Sequence, residues 1–353
     1  NKVLKTIINE LYYPESPYEF SVLSVEILGS AYEQFLGKQI KVDKAHRAHI
    51  EEKPEVRKAG GVYYTPQYVV EYIVKNTVGK LIGGKTPKEI SKIKMVDPAC
   101  GSGSFLIGAY QYLLDWHKNY YSDNGKTLPD GRQISKGNKS NPLTPEGNLT
   151  TAEKKRILLN NIFGVDIDVH AVEVTKLSLL LKCMEGETQA SIANQMKLFN
   201  ERVLPTLDDN IKSGNSLVDT DFYDSQLDFG EEKKIKPFNW QKGFPEVFNV
   251  KRPTANQDFK KQFEKVKKLQ QDTDDLLDKY IVNDPSQGYG KFSGFDIVIG
   301  NPPYGALFSE NELDYFKTNY QTAVWRVESY LIFIEQGLKL LKQQYRDILN
   351  QYG

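Results

Sequence analysis

The sequence predicts an α/β protein: an open, doubly wound sheet with helices on both faces, a helical N-terminal segment (residues 1–59) ahead of it, and a polar helical insertion within it (219–290). Three observations lead there. Strand-like apolar runs and helix-like apolar periodicities alternate from Ile93 to Leu341. The run Ile93–Val96 feeds a Gly-rich stretch that opens a helix, the usual edge of a ligand-binding α/β unit. Phe295–Ile299 (FDIVI) is a continuous apolar run of strand length, released by Gly300.

In chain order, Ser21 to Ile40 places Val22, Val25, Leu28, Tyr32, Phe35 and Leu36 at three- and four-residue steps, which predicts a helix ended by Gly37. The charged stretch Lys38 to Lys58 reads as a solvated connection. Thr65 is the expected N-cap of a helix over Tyr68–Ile82, with Pro66 in its first turn. A helix is predicted from Phe105 to Trp116, and a surface loop over 119–150, rich in Gly, Asn, Pro and Ser. Ile157–Val165 reads as a helix end and then a strand finishing at Asp166, followed by an apolar helix over His170–Met184. A weaker unit ends at Gly214-Asn215-Ser216-Leu217. The polar stretch from Asp219 to Asp284 carries a lysine-rich helix around Phe259–Leu277 and no strand pattern. Glu328–Leu341 closes the series as an amphipathic helix.

Composition excludes several classes. The 353 residues are 39% hydrophobic and 26% charged, as in a folded globular chain rather than a disordered one. With 46 basic and 46 acidic residues there is no overall cationic coat, although a local basic face remains compatible with nucleic acid. Cys100 and Cys183 cannot build a disulfide framework, which suggests a reducing cytoplasm. His46 and His49 lack further His or Cys neighbours, so no metal site is expected. No run is apolar for the ~20 residues a bilayer span requires, and no signal-peptide pattern opens the chain. Starting at Asn1 and stopping just after a helical segment, the sequence reads as a piece of a longer polypeptide.

Chemistry concentrates in three places. In Asp97–Phe105, Gly101 and Gly103 allow positive φ and close approach of backbone amides to a ligand, whose anionic group the following helix start would favour. The dinucleotide fingerprint fails there, because Leu106 stands where its third glycine would be. A phosphate-binding P-loop fails too, and a plain structural turn is the alternative. Asp166, at a strand end, can accept hydrogen bonds from ribose hydroxyls. Asp168 suits a helix N-cap better. In Asn301-Pro302-Pro303-Tyr304, two prolines hold the backbone extended and remove two N–H donors. The Asn301 side-chain carbonyl and the Pro302 backbone carbonyl then form a pair of acceptors for an amine, with the Tyr304 ring as a stacking surface.

Taken in order, these motifs resemble those of the adenine-N6 DNA methyltransferases of gamma-class arrangement. Gly61–Pro66 is similar to the motif that precedes the cofactor loop, and Asp97–Leu106 to the S-adenosylmethionine loop itself. Gly164–Asp168 resembles the ribose-binding motif, and Asn301–Tyr304 the catalytic one. Glu26–Gly29 and Tyr32–Leu36 resemble the type IIG restriction-modification enzymes, which join nuclease and methylase in one polypeptide.

The resemblance implies a Rossmann-like, S-adenosylmethionine-dependent methyltransferase domain over 60–353, acting on an adenine flipped from double-stranded DNA. It implies Asn301, Pro302 and Tyr304 as the catalytic set. Thr65 and the loop residues Asp97, Ala99, Cys100, Gly101, Gly103 and Phe105 would hold the cofactor's amino-acid end. Asp166 would take the ribose, and Ile167, Asn215, Ser216, Pro303 and Phe333 would surround the adenine. Asn215 stands where the family has an acidic residue; its side-chain carbonyl could still accept the bond, without the charge. The strands, base-packing aromatic and target-recognition domain that follow in the family are not recognisable after Phe333. A nuclease or specificity partner would then lie outside this chain. Pro129-Asp130 with Glu153-Lys154-Lys155 fits a loose nuclease spacing, but in a polar loop without strands. Two rival readings remain: the same grip on a protein glutamine or RNA amine, and a non-catalytic DNA-binding subunit.

Overall fold

A computed structural model describes residues 2–10, 27, 29, 31–32, 38–43, 46–52, 65–123, 142–144, 146–187, 204–223, 235–248, 293–323 and 327–342. The chain forms two compact units. One comprises Asn1–Gly84, Cys100–Leu159 and Asp168–Leu207; the other comprises Lys85–Ala99, Asn160–Ile167 and Asp208–Gly353. Its elements in order are α1 (Lys2–Glu10), β1 (Lys38–Val42), β2 (Ala48–Glu52), α2 (Gln67–Ile82), α3 (Pro87–Ile90), β3 (Met95–Asp97), α4 (Ser104–Asp123), α5 (Thr151–Asn161), β4 (Ile162–Asp166), α6 (Val169–Met184), β5 (Ile211–Ser213), α7 (Trp240–Gly243), β6 (Ile297–Val298), α8 (Glu310–Asn319) and α9 (Ser329–Leu340).

The first unit is mostly helical, with α4 packed on both α2 and α6. α2 buries Val70, Val74, Val78 and Ile82, a four-residue step that keeps one face inward. Its N-cap is Pro66 rather than the expected Thr65. Pro66 sits at ψ 141°, an extended setting that defers the helix by one residue. Two further expectations change here. Lys38–Val42 and Ala48–Glu52, expected as a helix end and a connection, pair instead as antiparallel strands, with Ile40 opposite Ile50 and Lys38 opposite Glu52. Across the two strands Lys41 pairs with Glu51 at 2.7 Å, an exposed contact between distant residues that helical periodicity does not report. Of the loop expected over 119–150, residues 119–123 belong to α4 and Leu143 bridges Leu149, the latter buried, while 124–141 lie outside the described residues.

Several buried polar groups in this unit are paired, whereas His117 Nε2 and Ser178 Oγ are buried without a hydrogen-bond partner. Glu153 accepts from Tyr121 Oη at 2.8 Å and takes a forked bond from Arg156 at 2.8 and 2.6 Å. Lys154 Nζ donates to the Glu185 carbonyl at 2.6 Å. Glu153 of the loose nuclease spacing is therefore held in a structural network, Lys154 is that spacing's variable position, and Pro129 and Asp130 lie outside the described residues.

The second unit holds a parallel four-stranded sheet in the order β5-β4-β3-β6. The chain proceeds outward from β3 through β4 to β5, then returns to the other side of β3 as β6. The order therefore reverses at β3, between its carboxyl end and that of β6. Buried amides fix the register: Asn161 Nδ2 donates to the Ile90 and Ile93 carbonyls at 2.7 Å each, and Asn210 Nδ2 to Ile162 at 2.8 Å. After α9 the chain comes back to the sheet, Leu341 bridging Phe295 in parallel.

The polar insertion expected over 219–290 is corrected in part. Residues 235–248 rejoin the sheet through a bridge from Asn215 to Pro237 and place Phe238, Trp240, Phe244, Val247 and Phe248 in the same buried cluster as Val96, Phe163, Val165 and Phe295. Edge-to-face contacts knit it together, among them Phe238 with Trp240 at 5.1 Å and Phe163 with Phe244 at 5.6 Å. The lysine-rich helix expected at 259–277 lies outside the described residues. No helix among the described residues is long and apolar enough to cross a membrane.

Candidate active site

β3, buried throughout, delivers Asp97 to the carboxyl edge of the sheet at the point where strand order reverses. The carboxylate is almost wholly enclosed, and its Oδ1 accepts the Ala99 N–H at 3.0 Å. Loss of water pushes the Asp97 carboxyl up to about 8; the Ala99 bond opposes this, and the Asp166 carboxylate adds to it. Beside it β6 ends and Gly300 begins the turn to Asn301. A β-carbon at Gly300 would come within 2.9 Å of the Asp97 carboxyl carbon, so only glycine lets the turn lie against this acid.

The enclosed acid has a thermodynamic consequence. Between pH 4 and 8 the folded chain keeps a proton that the unfolded chain has released, so this group's contribution is full below pH 4 and is lost as pH rises through 8. Buried His117, lowered to about 4 chiefly by loss of water, acts in the opposite sense and only below its ordinary range. Asp97→Asn mimics the neutral acid, so its melting temperature should fall less than the wild type's between pH 6.5 and 8.5. Parallel curves in a calorimeter would contradict this.

Asn301 to Tyr304 follow as an irregular, solvent-facing turn: Asn301, Pro303 and Tyr304 are exposed and Pro302 half-buried. Ser329 Oγ donates to the Pro303 carbonyl at 2.6 Å, a tie that spans 26 residues and that the sequence did not disclose. Asp166 stands half-buried at the end of β4, with Ile167 exposed after it. Both positions suit a ribose and an adenine face at the strand ends.

The residues after β5 are more committed than expected. The Asn215 side-chain carbonyl accepts the Leu217 N–H at 3.1 Å, and its amide points at Glu312 Oε1 at 3.4 Å. The carboxylate that Asn215 lacks is therefore present one helix away, at the start of α8. Ser216 is buried, its hydroxyl donating to the Pro98 carbonyl and its own carbonyl accepting the Trp240 indole N–H at 3.1 Å. It braces the loop from beneath. Phe333, half-buried, packs against the cluster of Leu217, Val218, Phe222 and Ile332.

In the first unit, Cys100 to Gly103 form a tight turn closed by the Gly103 N–H to the Cys100 carbonyl at 2.8 Å. Gly101 and Gly103 take φ +54° and +90°, as the motif requires. Thr175 Oγ1, another residue without a sequence signal, donates to the Gly101 carbonyl at 2.7 Å. Cys100 and Phe105 are buried. Asp168 caps α6 through the His170 N–H at 2.9 Å, as its position suggested. His49 pairs with Asp43, and no group of three potential metal ligands occurs among the described residues.

Comparison with known proteins defines the class. Residues 160–348, more than half of the chain, match the Eco57I restriction-modification methylase family. The chain belongs to that family. It is 32% identical over 348 residues, 97% of its length, to the type II restriction enzyme and methyltransferase RM.Eco57I of Escherichia coli, of which it covers 28%. It is 24% identical over 219 residues to the adenine-specific methyltransferase BrxX of Escherichia coli O9:H4, covering 53% of this chain and 15% of that one. With the adenine-specific methyltransferase PglX of Streptomyces coelicolor it shares 26% identity over 159 residues, 45% of this chain and 11% of that one. The chain thus spans less than a third of the length of these relatives.

Proposed function

We propose that this chain is the methyl-transfer part of a site-specific adenine-N6 DNA methyltransferase in a restriction-modification or phage-defence system, built on a Rossmann-like sheet and using S-adenosylmethionine. The observation that carries the proposal is the Asn301–Tyr304 turn at the reversal point of the sheet, seated through Gly300 on the buried Asp97. The chemistry of the residues supports the cofactor: half-buried Asp166 and exposed Ile167 at the end of β4 suit an adenosine, and in the first unit Gly101 and Gly103 take the positive φ that a close backbone approach to a ligand needs. When bound, the cofactor supplies an electrophilic methyl group on its sulfonium.

The protein's task is then to present the amine in line. Adenine N6 is a weak nucleophile because its lone pair is delocalised into the ring. Bonds from N6–H to Asn301 Oδ1 and the Pro302 carbonyl favour a pyramidal nitrogen and stabilise the positive charge that grows there during transfer. A duplex hides this atom, so the base must leave the stack, and exposed Tyr304 offers it a ring to stack on.

The alternatives keep the grip and change the acceptor, a protein glutamine or an RNA amine, or abandon catalysis for DNA binding alone. Supplying methyl-labelled cofactor with unmethylated double-stranded DNA, RNA and a glutamine-bearing protein in parallel separates them. Label is expected in DNA; label confined to RNA or protein, or none anywhere, would overturn the assignment.

A further inference from the structure

Two consecutive residues of the catalytic turn meet two consecutive residues of α9. Ser329 is the first residue of that helix and only 1% exposed, yet its hydroxyl caps no amide of its own helix; it donates to the Pro303 carbonyl at 2.6 Å. Next to it the Tyr330 ring lies 6.1 Å from the Tyr304 ring, tilted by 34°. That spacing is too small to admit a base between two rings stacked at the usual distance, so the pair forms one continuous surface rather than a clamp. Both rings remain open to solvent, Tyr304 at 66% and Tyr330 at 37%.

The need for such a support follows from the turn's composition. Pro302 and Pro303 have no N–H to donate, so two of the usual means of fixing a turn are missing. An exposed tyrosine held by nothing would sample several side-chain rotamers. The productive geometry demands the opposite, because a displacement of about 1 Å at the reacting amine costs on the order of 10²-fold in rate.

Resting on the amine-holding role of Asn301–Tyr304 given above, we propose that Ser329 and Tyr330 are positioning residues for the transfer: Ser329 sets the height of the Pro302-Pro303 carbonyls, and Tyr330 holds the Tyr304 ring at the angle that receives the target base. Neither touches the reacting atoms. Their effect passes through Pro303 and Tyr304.

The test uses the full chain, with 3-fluorotyrosine placed at 304 and observed by fluorine NMR. The wild type is expected to give one narrow resonance, and Tyr330→Ala a shifted or broadened one, whether or not any methyl acceptor has been found. In methyl transfer from S-adenosylmethionine to double-stranded DNA, Ser329→Ala should lower kcat by roughly 10-fold or more with the KM for the cofactor unchanged. Ser329→Thr, which retains the hydroxyl, should restore most of that loss. Tyr330→Ala should mainly raise the KM for DNA. An unchanged fluorine spectrum in Tyr330→Ala, or equal kinetics for Ser329→Ala and the wild type, would overturn the positioning role. Absence of transfer by the wild type would instead count against the function, leaving the fluorine result to judge this inference by itself.

Discussion

Asn301→Ala is expected to lose methyl transfer by roughly three orders of magnitude, about 4 kcal/mol of transition-state stabilisation, while binding S-adenosylmethionine nearly as well as the wild type. Asn301 is exposed and stands outside the regular elements, so its side chain contributes little to the core. What it contributes is one of two acceptors aimed at the amine, whose charge appears only during transfer. The loss should therefore fall on kcat. Single-turnover transfer and calorimetric cofactor titration of the same preparation check both halves. Wild-type turnover in the variant would remove Asn301 from the mechanism.

Gly300→Ala should fail differently, in folding and catalysis together. The added methyl would come within 2.9 Å of the Asp97 carboxyl carbon, in a place where neither side can yield easily: Asp97 is enclosed and bonded to Ala99, and the Ile299 N–H is held by the Val96 carbonyl at 2.9 Å. Overpacking of this kind costs about 1–3 kcal/mol. Relief can come only by moving the turn that carries Asn301. A lowered denaturation midpoint together with a transfer loss of 10-fold or more is the expected pair. A variant as stable and active as the wild type would show that the close approach of Asp97 to the turn has no functional weight.

Features encoded in contiguous residues were legible in the sequence. The apolar runs that became β3 and β4 end at Asp97 and Asp166 as expected, and Asp168 caps α6 as its chemistry suggests, whereas of the expected strand Phe295–Ile299 only Ile297–Val298 forms β6. What remained hidden depended on distant partners. The paired strands Lys38–Val42 and Ala48–Glu52 both carry charged residues, and a contact such as Lys41 with Glu51 joins residues ten apart that no local period links. The aromatic residues from Phe238 to Phe248 follow no strand period, so nothing local separates them from a polar insertion; their burial depends on distant Phe163 and Phe295. In the site, Ser329 and Thr175 act across 26 and 74 residues through single hydroxyl groups, and a lone Ser or Thr in a helix carries no signal of that kind. Asn215 shows the converse. Its departure from the expected acid was visible, but not that Glu312 stands beside its amide.

The central claim is that the Asn301–Tyr304 turn presents the N6 amine of adenine in DNA to a methyl donor. Incubating the protein with unmethylated double-stranded DNA and cofactor bearing a deuterated methyl group, then digesting the DNA to nucleosides for mass spectrometry, tests it most directly. The account predicts deuteromethyl label on N6 of deoxyadenosine and on no other nucleoside. Label on the exocyclic amine or ring carbon of deoxycytidine, with deoxyadenosine unmodified, would contradict it.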